Sequence, residues 1–189
     1  MSNLKSKMQA MMNQVQSAVQ TDGQQGGNDY FKLTVDKNQN GSAVLRFIPQ
    51  PDLNELPYVQ VYNHYFQDDV TGKVYREMSN STWGESDIVR NQKRNKQFFA
   101  NVYVVKDPGK PENEGKVMVY RFGQKIFDKI KEAMTPDESI GEEPINPFDP
   151  FEGTNFRLKS KEVGGYRNYD SSSFDGKKTP LGTEDEIEK

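Results

Sequence analysis

The sequence predicts a mainly β protein: an OB-type barrel of about five strands with an inserted helix, long loops and a tethered N-terminal helix. Three observations predict it. From residue 30 onward, apolar residues recur at every second position in short runs. One stretch only, Gln124 to about Met134, switches to helical spacing within that region. Long polar connections separate the runs, and four prolines, Pro136, Pro144, Pro147 and Pro150, exclude a regular helix or central strand from one of them.

At the N-terminus, Leu4, Met8, Met11, Met12, Val15 and Val19 fall at helical spacing with Gln, Asn and Lys between them. Residues 1–20 are therefore expected to form an amphipathic arm. The stretch TDGQQGGND, 21–29, reads as a flexible linker. Residues 30–175 are assigned to the core and 176–189 to an acidic C-terminal extension. Within the core, YFKLTV (30–35) and SAVLRFI (42–48) flank DKNQNG, and Asn40-Gly41 predicts a β-hairpin between them. Asp36, Asn38, Asn40 and Gly41 imitate the opening of a calcium loop, but Phe47 stands where a bidentate Glu is required, so calcium is rejected. Further strands are expected at YVQVYNHYF (58–66), KVYREM (73–78), FFANVYVV (98–105), KVMVYRF (116–122) and NFRLKSKEV (155–163). In the helix, Ile126, Phe127, Ile130 and Met134 form the apolar face, with Lys125 and Lys129 four apart on another. The OB barrel leads among the architectures these elements allow; other barrels and sandwiches stay open.

Composition narrows the chemistry. The 189 residues carry a net charge of −3, no cysteine and one histidine, His64. Disulfides, thiolate metal sites and a Cys nucleophile are excluded. There is no apolar run of the ~20 residues that span a bilayer, no Gly-x-Ser-x-Gly elbow and no phosphate-binding Gly loop. The chain is not expected to be an enzyme. Its charge is segregated: residues 90–130 hold ten Lys/Arg against four carboxylates, whereas 132–153 hold seven acids and no base. Inside and beyond the basic stretch, cations interleave with aromatics three times. The first run leads from Arg90, Lys93, Arg94 and Lys96 into Phe98-Phe99, where alternation should send one ring to the core and the other outward. Tyr120, Arg121 and Phe122 then lead to Lys125 and Lys129, and Phe156 to Lys161 leads to Tyr166, Arg167 and Tyr169. Cations that neutralise phosphates and rings that stack on unpaired bases are what single-strand binding needs. The rival reading is an OB-type protein-interaction module that docks an acidic partner; a magnesium nuclease is a third.

GSAVLRFIP (41–49), VYNHYF (61–66), FFANVYVVKDP (98–108), PENEGKVMVYRFGQKIFDKI (111–130) and FEGTNFRLKSKEVGGYRNYD (151–170) resemble the single-stranded DNA-binding, helix-destabilising proteins of T-even-type bacteriophages. The resemblance covers about residues 30–175. It implies an OB core whose basic, aromatic-lined cleft coats ssDNA in phage replication, recombination and repair, in the cytoplasm of the infected bacterium. It places Phe98, Tyr120, Tyr166 and Tyr169 on bases, and Arg46, Arg94, Lys96, Arg121 and Lys125 on phosphates. Charge placement adds Lys159 and Lys161 to the phosphate set. Phe99 and Phe127 resemble packing or cleft-wall positions. Implied partners besides ssDNA are other copies of the chain, through the N-terminal helix, and phage replication proteins; no membrane is implied. Family members bind zinc through one His and three Cys. Here His64 stands where that His would be, Met78 replaces one Cys, and the segment bearing the others is shortened to roughly Ser79–Lys96, so no cofactor is expected.

Overall fold

The computed structural model describes residues 30–183 except 51, 53, 88, 90–92, 138 and 140. The expected N-terminal helix, the linker and the end of the acidic extension lie outside the described residues. Nine strands follow in chain order: β1 (Tyr30–Phe31), β2 (Gly41–Phe47), β3 (Val59–Gln67), β4 (Val74–Met78), β5 (Arg94–Lys106), β6 (Val117–Phe122), β7 (Phe156–Val163), β8 (Tyr166–Asn168) and β9 (Ser173–Phe174). One helix, α1 (Gln124–Met134), follows β6.

β5 organises the sheet because its 13 residues serve three partners. Its first half pairs antiparallel with β3, from His64↔Arg94 to Val59↔Phe99. Its second half pairs with β2, and β6 runs along it from Phe98↔Phe122 to Tyr103↔Val117. β7 joins β2 and carries β8 and β9, while β4 extends β3 as a two-stranded ribbon. The sheet is mixed and, among the described strands, not closed, which corrects the expectation of a closed barrel. The described pairing ends at β1 on one side and β8 on the other, and these two do not meet.

Alternation builds the core. Phe98, Ala100, Val102 and Val104 of β5 point to one side, where they meet Leu45 and Phe47, Met118, Tyr120 and Phe122, and Phe156 and Leu158. Helix α1 seals that side with Ile126 and Ile130, both buried. Its Phe127 ring lies parallel to Phe98 at 3.9 Å between centroids, and Tyr58 meets both edge-on. Thr135 ends the helix and Pro136 prevents its continuation. The other side of β5 is also covered at one point. Phe99 packs there with Val61, Val59, Met78 and Val119, so both Phe98 and Phe99 are buried and neither faces out as alternation suggested.

The expected hairpin is corrected as well. β1 pairs with β6, in parallel, and residues 32–35 leave the ladder. The turn itself forms. Asp36 accepts the backbone N–H groups of Asn38 and Asn40, both at 2.8 Å, which holds its carboxyl below the usual range, the Asn40 bond first. Gln39, rather than Asn40 or Gly41, takes the left-handed conformation with φ 59°. Gly41 is needed for a different reason: a Cβ there would lie 2.3 Å from the Thr34 carbonyl oxygen. Gly41→Ala is therefore expected to destabilise the fold by about 1–3 kcal/mol, read as a lower urea midpoint at unchanged slope.

Candidate nucleic-acid interface

The structure distributes the residues singled out from sequence over three surfaces and the interior. The first surface is the β3–β5 pair. Tyr62 lies directly opposite Lys96 in register, and His64 opposite Arg94. The Arg94 guanidinium carbon sits 5.2 Å from the Tyr62 ring centroid and Lys96 Nζ sits 5.7 Å from it. Lys96 Nζ also lies 5.9 Å from the ring of Phe98. Arg94 is exposed and Lys96 half-buried.

A lobe beside this surface consists of β4, a 3-10 turn over Asn80–Trp83 and the segment after it. Its anchor is polar. His64 Nε2 lies 2.8 Å from Asp87 Oδ2, and the Ser79 hydroxyl donates to the same oxygen. Thr82 bonds the backbone N–H and carbonyl of Tyr62, and the Ser79 N–H donates to that same carbonyl. The Ser79 bond first, then His64, holds the Asp87 carboxyl below its ordinary range. Ser79 thus addresses Asp87 rather than a base that could activate it. Asp87 engages only Nε2 of His64; the ring's Nδ1 is buried without a hydrogen-bond partner among the described residues, and Met78, one position past the cross-strand partner of His64, packs on the opposite side with Val61 and Phe99.

Because the Asp87 carboxyl is depressed in the folded lobe, its stabilisation is present above the ordinary value of 3.8 and is lost as pH falls through the folded value. The single tryptophan, Trp83, lies in the lobe and reports on it. Its emission is expected to shift on acidification below that range, and Asp87→Asn should remove this acid-dependent step.

The second surface joins α1 to the segment after β8. Lys125 Nζ meets Asp170 Oδ1 at 2.9 Å, and both side chains are well exposed. Asp170 also accepts from Asn168 Nδ2 at 2.7 Å; the Asn168 bond first, then Lys125 and Lys129, lowers its pKa. Tyr169 is half-buried against the core beside Tyr120. The third surface is the outward side of β7 and the β7–β8 turn. Arg157, Lys159 and Lys161 alternate with buried Phe156, Leu158 and Ser160. Arg157 is neutralised by Asp175. Gly164 and Gly165 make the turn with φ 61° and 82°, which only glycine adopts freely, and present Tyr166 at 80% exposure. Arg167 next to it is held on Gln39 Oε1 at 2.7 Å by Nη2 and 3.1 Å by Nε.

Three of the expected contact residues lie inside. Phe98 is 0% exposed and Tyr120 5%, and burial pushes the Tyr120 hydroxyl well above its ordinary pKa. Neither ring presents a face to a base, because inward alternation on β5 and β6 commits both to the core. Arg46 is 1% exposed; its Nη2 donates to the backbone carbonyls of Asp149 and Thr179 at 2.9 and 2.8 Å. Burial lowers its pKa, and the Asp149 charge opposes that shift. Residues 149–154 and 175–181 cover it, joined by bonds from Thr179 N–H to the Gly153 carbonyl and Leu181 N–H to the Pro150 carbonyl. The described part of the C-terminal segment is thus tied to the core. Arg121, opposite Phe99, is half-buried on the other side of β5–β6 from Lys96. Arg94, Lys96, Lys125, Lys159, Lys161, Tyr166 and Tyr169 keep some accessible surface. Sequence reading passed over Tyr62, whose link to Lys96 appears only once β3 and β5 are in register.

The comparisons with known proteins agree with this surface chemistry. A family model described as gp32 DNA binding protein like matches residues 85–189. The single-stranded DNA-binding proteins of Enterobacteria phages T4 and T2 are each 42% identical over 163 residues, covering 76% of this chain. The protein of the same name from Escherichia phage SV14 is 39% identical over 57 residues, 30% of this chain and 49% of its own length. The chain spans about half the length of the T4 and T2 relatives, 54% and 53%. With more than half of its residues under that family model, the chain belongs to the gp32-like DNA-binding proteins of bacteriophages.

Proposed function

We propose that this chain binds single-stranded DNA without strong sequence preference and coats it stoichiometrically during phage replication, recombination and repair. The observation that carries the reading is Tyr166: a ring 80% exposed at a glycine turn, flanked by Lys159, Lys161 and Arg167, where folding gives no reason for an aromatic. Arg94, Lys96, Lys125, Lys159 and Lys161 serve as phosphate contacts, and Tyr166 with the accessible part of Tyr169 as base contacts. Duplex is disfavoured because its bases are already stacked on each other. β2, β3, β5, β6 and β7 constitute an OB-type core, and the lobe around His64 is held by hydrogen bonds without zinc. The N-terminal segment contacts further copies along the strand, and phage replication proteins are the other partners.

Fluorescence anisotropy with labelled oligo(dT) and a matched duplex, across a salt series, tests the reading. Single strand is expected to bind more tightly, and log K to fall with log salt by roughly 0.7 per phosphate neutralised, a total slope of about 2–4. Equal affinity for duplex, or no binding to oligo(dT) at low salt, would overturn it in favour of the protein-interaction module.

A further inference from the structure

Among the described residues, several cations already have a carboxylate: Lys125 has Asp170, Arg157 has Asp175 and Lys106 has Glu114. Arg94 and Lys96 do not; among the described residues no carboxylate lies within ion-pair distance of either. Instead they share one aromatic ring, with the cations 5.2 and 5.7 Å from the centroid of Tyr62. Two like charges two positions apart on one strand, pointing the same way, repel each other. A π face between them offsets that repulsion without neutralising either charge. The ring is itself fixed. Gln60 Nε2 donates to the Tyr62 hydroxyl at 3.0 Å, and Thr82 clamps the Tyr62 backbone from the lobe, through N–H at 2.9 Å and carbonyl at 3.2 Å.

We propose that Tyr62 is a positioning residue, resting on the single-strand reading above: it holds Arg94 and Lys96 as a preformed, uncompensated pair for two phosphates of the strand. It acts through the cations and not by stacking on a base. A carboxylate in its place would hold the cations equally well but cancel the charge that the DNA backbone is meant to cancel. The lobe takes part as well, since Thr82 sets where the ring stands.

The test compares Tyr62→Leu with Tyr62→Phe in oligo(dT) anisotropy, after thermal unfolding has shown both folded. Tyr62→Leu should weaken binding roughly 5- to 30-fold, as expected for two exposed cation–π contacts, and make the salt slope shallower by roughly 0.7–1.4. Tyr62→Phe keeps the ring and should stay within about 2-fold. In a background carrying Arg94→Gln and Lys96→Gln, Tyr62→Leu should add almost nothing. An undiminished loss in that background, or an unchanged salt slope, would overturn the proposal and make Tyr62 a base contact or a structural residue. A second readout needs no DNA: the heteronuclear NOE of the Arg94 Nε–H in the free protein should fall in Tyr62→Leu and hold in Tyr62→Phe. Failure of the wild-type chain to bind oligo(dT) sinks the single-strand reading, whereas an unchanged NOE in Tyr62→Leu sinks the positioning role.

Discussion

Replacing Arg46 with alanine is expected to cost about 3–5 kcal/mol of stability and to leave the salt slope of oligo(dT) binding unchanged. The guanidinium is buried, and its Nη2 joins the carbonyls of Asp149 and Thr179. Truncation leaves both carbonyls without this donor, removes the charge that faces Asp149, and opens a cavity between β2 and two covering segments. Gly153 shows how closely that seat is built: a Cβ there would stand 2.7 Å from Arg46 Nη2 and 2.3 Å from the Asp149 carbonyl oxygen. Against a typical total stability of about 5–15 kcal/mol, the loss is large and should appear as a lower urea midpoint. Arg46→Lys, which keeps a charge and a donor but lacks the planar guanidinium that fills this buried seat, should fall between the wild type and alanine. Were Arg46 instead a phosphate contact, as the resemblance implied, Arg46→Lys would be nearly neutral in stability. Alanine would then flatten the salt slope at full stability. The two positions a buried arginine can hold are thus separated by which measurement moves.

Arg46 shows what the sequence carries and what it does not. Periodicity located α1 from Gln124 to Met134 because Ile126 and Ile130 repeat with the helical turn and Pro136 closes it. It also located β2, β3, β4, β6 and β7 to within a residue or two, with the alternation of inward and outward residues clearest in β6 and β7. Alternation correctly sends Arg46 to the outward side of β2, between inward Leu45 and Phe47. What covers that outward side is irregular chain, residues 149–154 and 175–181, with no period to announce it. Alternation alone likewise misses that Phe99 is buried together with Phe98, since its cover comes from β3 and Met78, although the resemblance matches Phe99 to a packing or cleft-wall position. The same limit hid the parallel pairing of β1 with β6, because Tyr30 and Val119 carry no local mark of each other. The basic–aromatic interleaving was legible as composition, but register distributes it. Arg94 and Lys96 fall on the β3–β5 surface, and Lys159 and Lys161 with Tyr166 fall on β7–β8.

The largest contrast is expected between two aromatics that sequence reading placed in one class. Phe98→Ala should cost about 3–5 kcal/mol of stability. Its ring stacks on Phe127 at 3.9 Å, lies near Phe122 at 5.7 Å and meets Tyr58 edge-on at 5.9 Å, so truncation uncouples α1 from β5 and leaves a void the rigid sheet cannot close. Tyr166→Ala should leave stability within about 0.5 kcal/mol, as for a surface residue away from any structural feature. It should nevertheless weaken oligo(dT) binding by about 1–3 kcal/mol, the range for loss of one stacked base. Urea denaturation and anisotropy on the two variants give a crossed result: one loses fold, the other loses ligand. Should Phe98→Ala stay near wild-type stability while losing DNA affinity at matched folding, the ring would have to leave the core when DNA binds. The stacked Phe98–Phe127 pair would then be a gate instead of a wall. A stable Phe98→Leu variant decides the point if alanine does not fold. Leucine fills most of the volume and should restore stability, but it has no π face to offer a base, so full DNA affinity in Phe98→Leu is the outcome the buried geometry requires.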